Sequence, residues 1–310
     1  MTTFPIRVAT VGMGKIARDQ HLPAIAGNPD FALAATVSPH GAGADGVPHF
    51  RSIEALFADG PPIDAVALCS PPQVRYDLAA QAIAAGVHVF LEKPPGATLA
   101  EVAALEDQAR AAGVTLFASW HSRYAAGVAP ARRWLADKRI ERVAITWRED
   151  VRHWHPGQAW IWEPGGLGVF DPGINALSIV TDILPRPFFL TEGTLSMPAN
   201  RAAPIAADLR FRDTDGTPIA MDLDWRQTGP QSWDIRVETD AGPCLLSSGG
   251  ATLTLPDGVQ ESEDREYPGL YARFAALIRD GASDVDTAPL RLVADAFLRA
   301  HRQTVEAFHD

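Results

Sequence analysis

IRVATVGMGKIARDQHLPA, residues 6–24, is the stretch on which the fold turns. A β-branched and apolar run, Ile6 to Val11, enters Gly12-Met13-Gly14-Lys15-Ile16-Ala17 and then a segment that reads as helix. GxGxxA set between a strand and a helix is the fingerprint of a dinucleotide-binding turn. Gly12 permits the tight turn, Gly14 lets the backbone approach a pyrophosphate, and Ala17 lets helix and strand pack closely. The free N–H groups of the helix's first turn then face the phosphates. Gly12, Met13, Gly14, Lys15 and Ile16 are therefore candidate cofactor contacts. A glycine-rich turn without a ligand has the same pattern, so the surroundings decide.

Outward from this motif a second apolar run, Phe31 to Val37, ends in Ser38-Pro39-His40. An acidic residue here would hold the adenosine ribose and repel a 2′-phosphate, and an arginine would welcome one. Neither follows the strand, so Ser38 and His40 are candidate contacts and the choice between NAD and NADP stays open. A third strand, Ala65 to Cys69, runs into Ser70-Pro71-Pro72, and the helix from Gln73 to Ala85 stops at Gly86. The fourth strand, Val87 to Leu91, ends in Glu92-Lys93-Pro94-Pro95. Strands alternating with helices give an α/β, doubly wound parallel sheet, with ligands at the strand carboxyl ends. Ser70, Pro71, Glu92 and Lys93 occupy those ends. A lysine there needs a partner or a task; the bland reading is a surface lysine in a loop. After the helix Leu99 to Ala112 and the strand Val114 to Ala118, this domain ends, giving residues 1–122 for the cofactor and 123–310 for the substrate.

The second half changes character. Strand-like runs occur at Val143–Trp147, Phe188–Leu195, Ile205–Phe211, Ile219–Trp225, Trp233–Thr239 and Cys244–Ser247, joined by short turns that indicate a largely antiparallel sheet. Two helices close the chain, near Tyr267–Arg279 and Leu290–Phe308, and the last is expected to pack back on the first domain. Trp147, Trp154, Trp160 and Trp162 crowd one stretch. Trp160 and Trp162 read as core; Trp154, between His153 and His155, suits a pocket wall equally well. Further on, a glycine-rich loop feeds a helix that places Asp171 and Asn175 four residues apart on one face. Asp171 as a helix cap and Asn175 as a satisfied amide is the competing reading.

Composition removes other classes. The 310 residues carry a net charge of -11, which opposes phosphate backbones and anionic membranes. Cys69 and Cys244 form no metal-binding or disulfide pattern and read as buried thiols. No apolar run reaches the ~20 residues of a membrane span. The motif begins too early to leave room for a signal peptide, so the cytoplasm is expected.

GMGKIA at residues 12–17, Glu92-Lys93-Pro94, and GGLGVFDPGIN at residues 165–175 together resemble the Gfo/Idh/MocA oxidoreductases, a family named for glucose-fructose oxidoreductase, inositol dehydrogenase and rhizopine catabolism. The likeness covers nearly the whole chain. Over Trp147–Thr181 it extends to members that oxidise C1 of an aldose. The resemblance implies a Rossmann domain followed by an α+β domain with a large, mostly antiparallel open sheet, and a sugar lying over the nicotinamide. It implies Lys93, Asp171 and Asn175 as the catalytic set, with Lys93, His121, Glu149, Trp154, His155, Asp171, Asn175 and Trp233 contacting substrate. The implied reaction takes L-arabinose, D-galactose or D-fucose to its lactone with NADP or NAD, without a metal, in a homodimer paired through the open sheet. Many members carry histidine where this chain has Asn175, which moves proton chemistry to Lys93 and Asp171. Arabinose-oxidising members carry arginine where this chain has Pro39, which weakens the case for NADP. The alternatives are another sugar or inositol-type oxidoreductase and a nucleotide-sensing regulator; Lys93 and Asp171 argue against the regulator, since a sensor needs no base.

Overall fold

The computed structural model describes residues 5–261 and 263–309. The chain forms two compact units: the residues up to His121 with Tyr267–Thr287, and Ser122–Glu266 with Ala288 onward. The helix Glu266–Asp280 thus belongs almost wholly to the first unit and the helix Ala288–Arg299 to the second.

In the first unit, β1 (Ile6–Val11), β2 (Phe31–Val37), β3 (His49–Phe50), β4 (Ala65–Leu68), β5 (His88–Leu91) and β6 (Leu116–Ala118) form one parallel sheet in the order β3-β2-β1-β4-β5-β6. The order reverses between β1 and β4, which opens the ligand-binding crevice at their carboxyl ends. Both faces are covered, which is why β4 and β5 read as continuous apolar runs. On one face Val11, Val37, Leu56, Leu68, Ile83, Leu91 and Leu105 pack under the helices Ile53–Asp59, Pro72–Ala84 and Leu99–Ala112. Aromatic rings fill the other face: Tyr271 and Phe274 of the late helix meet Phe31, Phe90 and Phe117 at centroid distances of 5.2–6.0 Å. The short β3 and the helix Ile53–Asp59 escaped the sequence reading because neither carries a long periodic pattern. A capping box at Thr98 and Glu101 starts the helix Leu99–Ala112, and Gly113 ends it with φ 66°.

Among the described residues the second unit holds nine strands: β7 (Ile140–Arg148), β8 (Phe188–Pro198), β9 (Ala206–Asp213), β10 (Pro218–Asp224), β11 (Ser232–Thr239), β12 (Gly242–Ser247), β13 (Thr252–Leu255), β14 (Gly258–Glu261) and β15 (His301–Val305). Their order is β14-β13-β12-β11-β7-β10-β9-β8-β15. All pairs are antiparallel except β7–β10 and β8–β15. Alternate burial along β9 shows one face in the core and one outward. The helices Val128–Leu135, Phe170–Ile183 and Ala288–Arg299 cover the inner face. The outer face carries charge, including a two-pronged Arg148–Asp222 pair at 2.6 and 2.7 Å.

Three expectations need correction. The final helix stops at Arg299, and residues 301–305 form β15, not a helix running to Phe308. Trp160 is half-buried, unlike the fully packed Trp162. Cys69 is half-buried as well, while Cys244 is in the core and burial pushes its thiol up to about 12. Among the described residues, no helix is long and apolar enough to cross a membrane.

Candidate active site

In the first unit, candidates stand at three strand ends. Beyond β1, Gly12 has φ +93°, and a Cβ there would lie 2.8 Å from the backbone of Cys69 and Ser70. Only glycine lets β1 and β4 close on each other at the switch point. At Gly14 nothing would stand within 4 Å of a Cβ, so the backbone there is open to a ligand. Met13 is buried, and Lys15 pairs with Asp19 at the surface beside an exposed Ile16. At the end of β4 the Ser70 hydroxyl is buried without a hydrogen-bond partner, and Pro71 is exposed. An open glycine backbone and an orphaned hydroxyl at adjoining strand ends fit the phosphates and nicotinamide end of a dinucleotide. Gly12→Ala is expected to cost ~1–3 kcal/mol of stability by forcing a strained backbone, measured by urea unfolding. Fluorescence titration should also show weakened dinucleotide binding; unchanged affinity would place the ligand elsewhere.

After β2, Ser38 is buried with its hydroxyl donating to the His40 carbonyl, and His40 is exposed. The sequence reading found no arginine here, yet the fold delivers two. Arg18 donates to the Ala42 carbonyl at 2.5 Å and Arg51 to the Pro39 carbonyl at 3.0 Å. Both come from outside the residues that directly follow β2, so only tertiary structure reveals them.

After β5 the Glu92 side chain turns inward, 3% exposed. Its carboxylate accepts from His21 Nε2 at 3.0 Å, from the Tyr267 hydroxyl at 2.7 Å and from the Lys93 backbone N–H at 2.7 Å. Glu92 thus presents no free carboxylate to a cofactor. Lys93 is half-buried and precedes a cis peptide to Pro94. Buried Arg75 donates to the carbonyls of Ser70, Glu92 and Pro94, tying the β4 and β5 ends together. His121, half-buried, stacks on Tyr267 at 5.6 Å.

The second unit gathers the remaining candidates around the end of β7. Glu149, 3% exposed, accepts from the indole N–H of Trp225 at 3.2 Å and of Trp233 at 2.8 Å. His155 Nε2 stands 3.7 Å from Glu149 and 3.6 Å from Asp171. Trp154 lies 5.0 Å from Trp233, which itself stacks on Trp147 at 5.9 Å. Glu149, Trp154, His155, Asp171 and Trp233, scattered over more than eighty positions, therefore meet in one cluster. Asp171 is not a cap: Val169 occupies that position, and Asp171 sits inside the first turn of Phe170–Ile183, 3% exposed. The loop before it is held by close approach, since a Cβ on Gly168 (φ +54°) would come 2.4 Å from the Pro204 carbonyl. Asn175 follows one turn later, half-buried. Trp225, buried and bonded to Glu149, is a member the sequence reading missed; it entered there only as the last residue of the strand-like run Ile219–Trp225.

With a dinucleotide-binding sheet of this order and a Glu-Lys-Pro turn at β5, the chain belongs to the Gfo/Idh/MocA oxidoreductases. Residues 6–119 match that family, described as an oxidoreductase family with an NAD-binding Rossmann fold. Galactose 1-dehydrogenase of Pseudomonas fluorescens is 48% identical over 310 residues, spanning 99% of each chain. A solved D-galactose-1-dehydrogenase from Rhizobium etli is 60% identical, with TM-score 0.95 over 100% of this chain and 99% of that one. KijD10, a 3-ketoreductase from Actinomadura kijaniata in complex with NADP and TDP-benzene, shares the fold at 16% identity, TM-score 0.82, over 97% of this chain and 99% of that one.

Proposed function

We propose that the protein oxidises C1 of a cyclic aldose of the galactose configuration to its lactone. The observation that carries this reading is the full-length likeness to galactose 1-dehydrogenases. It is joined by the cluster of indoles, carboxylates and imidazole around β7. Indole faces suit the apolar C–H faces of a pyranose, and the polar groups beside them suit its hydroxyls.

When bound, a nicotinamide dinucleotide supplies the hydride acceptor. The chain has to remove the proton of the anomeric hydroxyl and hold the sugar. Lys93 Nζ accepts that proton, with Asp171 hydrogen-bonding the anomeric hydroxyl or receiving the proton in turn. The Asn175 amide, which donates and accepts at once, orients ring hydroxyls. Trp154 and Trp233 supply the stacking wall, His121 and His155 polar tips, and Glu149 fixes Trp233 rather than touching sugar. Gly12 to Ile16, Ser38, His40, Ser70 and Pro71 hold the dinucleotide. With no carboxylate directly at the end of β2 and Arg18 and Arg51 anchored on the following loop, NADP is accepted as well as NAD.

L-Arabinopyranose shares the ring configuration of D-galactopyranose and lacks only the C6 group; D-fucose lacks only the C6 hydroxyl. All three are expected to reduce cofactor at 340 nm, with acid released as the lactone hydrolyses, whereas inositols give neither signal. Turnover of inositols without lactone would replace this reading with ring-alcohol oxidation; silence across the panel would favour a sensor. Two unpaired thiols fit a reducing compartment, the cytoplasm. Pairing of two copies through the outer face of the second sheet completes the proposal, and solution mass tests it.

A further inference from the structure

We propose that His21, Glu92 and Tyr267 form a positioning set that fixes the Lys93 turn for proton transfer. This rests on the reading of Lys93 as the proton acceptor. Glu92 sits one residue before Lys93, and three donors claim its carboxylate, one of them the Lys93 N–H. His21 is fully buried and closes the π-helical turn Ala17–His21 that follows the glycine loop. Its second nitrogen lies 2.8 Å from the Tyr271 hydroxyl. The network therefore joins the helix that follows the dinucleotide turn, the end of β5, and a helix whose contributing residues lie 175 and 250 positions away.

The groups facing His21 are Glu92, Tyr271, Tyr267, Phe90 and Cys69. Those facing Glu92 are His21, Tyr267 and His121. Burial opposes a charged imidazole, yet Cys69 beside the ring and the hydrogen bond to Glu92 carry His21 well above its ordinary value. Burial likewise opposes the carboxylate, but the bond and charge of His21, the charge of His121 and the Tyr267 hydroxyl hold Glu92 well below the usual range. Burial pushes the Tyr271 hydroxyl up to about 12, so it stays neutral. A buried ion pair is seldom the cheapest way to stabilise a core, because apolar side chains of similar volume do as well or better. What this pair does that apolar side chains cannot is hold a backbone N–H. Arg75 holds the carbonyls on either side of Lys93. The turn is thereby fixed on both flanks, and a misplacement of about 1 Å at a reacting group costs on the order of 10²-fold in rate.

The test compares Glu92→Gln and Tyr267→Phe with the parent and with Lys93→Met, using D-galactose. Kinetics give kcat and KM, and fluorescence titration gives the dinucleotide Kd. Glu92→Gln is expected to lower kcat about 10-fold or more, and Tyr267→Phe by a smaller factor, with KM and Kd within about 3-fold. Tyr267→Phe removes one hydroxyl and so decides the matter if Glu92→Gln does not fold. Folded variants with parental kcat would overturn the proposal, whatever their melting temperatures; if Lys93→Met is then inactive, the reading of Lys93 survives alone. A fully active Lys93→Met would remove the proton-acceptor reading and the positioning role with it.

Discussion

Replacing Lys93 by methionine is expected to cost on the order of 10²-fold or more in turnover while dinucleotide affinity is kept. Methionine has nearly the length and flexibility of the lysine stem, so the half-buried site stays filled and only the proton acceptor is lost. The backbone bonds that hold the turn involve the Lys93 N–H and the neighbouring carbonyls, which the substitution leaves in place. Steady-state kinetics with D-galactose should therefore show a fall in kcat with a small change in KM, as for an interaction made in the transition state. Turnover within a few-fold of the parent would transfer the proton to Asp171.

The largest effect on stability is expected from Glu92→Ala. It leaves the fully buried His21 without its carboxylate and the Lys93 N–H without its acceptor, a loss of roughly 3–5 kcal/mol. A double variant, His21→Leu with Glu92→Met, should recover much of that loss, since both charges leave together. Urea unfolding of the parent, the single and the double variants measures the coupling; a double variant as unstable as the sum of the singles would mean that the two residues do not act as a pair. The pH dependence has a definite sign. Glu92 is lowered on folding, so its contribution is present above its ordinary value of 4.5 and is lost as pH falls toward the folded value. His21 is raised, so its contribution is complete below its ordinary 6.5 and is lost as pH rises through the folded value. The stability difference between parent and Glu92→Ala should therefore be greatest from about pH 4.5 to 6.5 and shrink on both sides.

Most of the parallel sheet was legible because β1, β2, β4 and β5 are short apolar runs closed by a glycine or proline signal, and because GxGxxA fixes where the first strand must end. β15 was not. It lies at a sheet edge with His301 to Thr304 exposed, has no apolar alternation, and follows a true helix with no glycine or proline to end it. The cluster around β7 was legible as residue types but not as an arrangement: nothing local shows that Trp225 and Trp233 would donate to one carboxylate. Glu92 illustrates the limit most clearly. Its place at a strand end points to a ligand, and its partners, 71 and 175 residues distant, are what turn it inward.

The excursion of Tyr267–Thr287 into the first unit means that the dinucleotide half is not a portable module. A fragment ending near His121 would keep the whole parallel sheet yet lose Tyr271 and Phe274, exposing the aromatic face of that sheet and forfeiting roughly 1.5–3 kcal/mol for each large ring. It would also leave Glu92 without the Tyr267 hydroxyl. Recombining cofactor and sugar preferences among relatives is therefore a matter of exchanging two non-contiguous pieces together, and chimaeras joined at a single point should fail to fold.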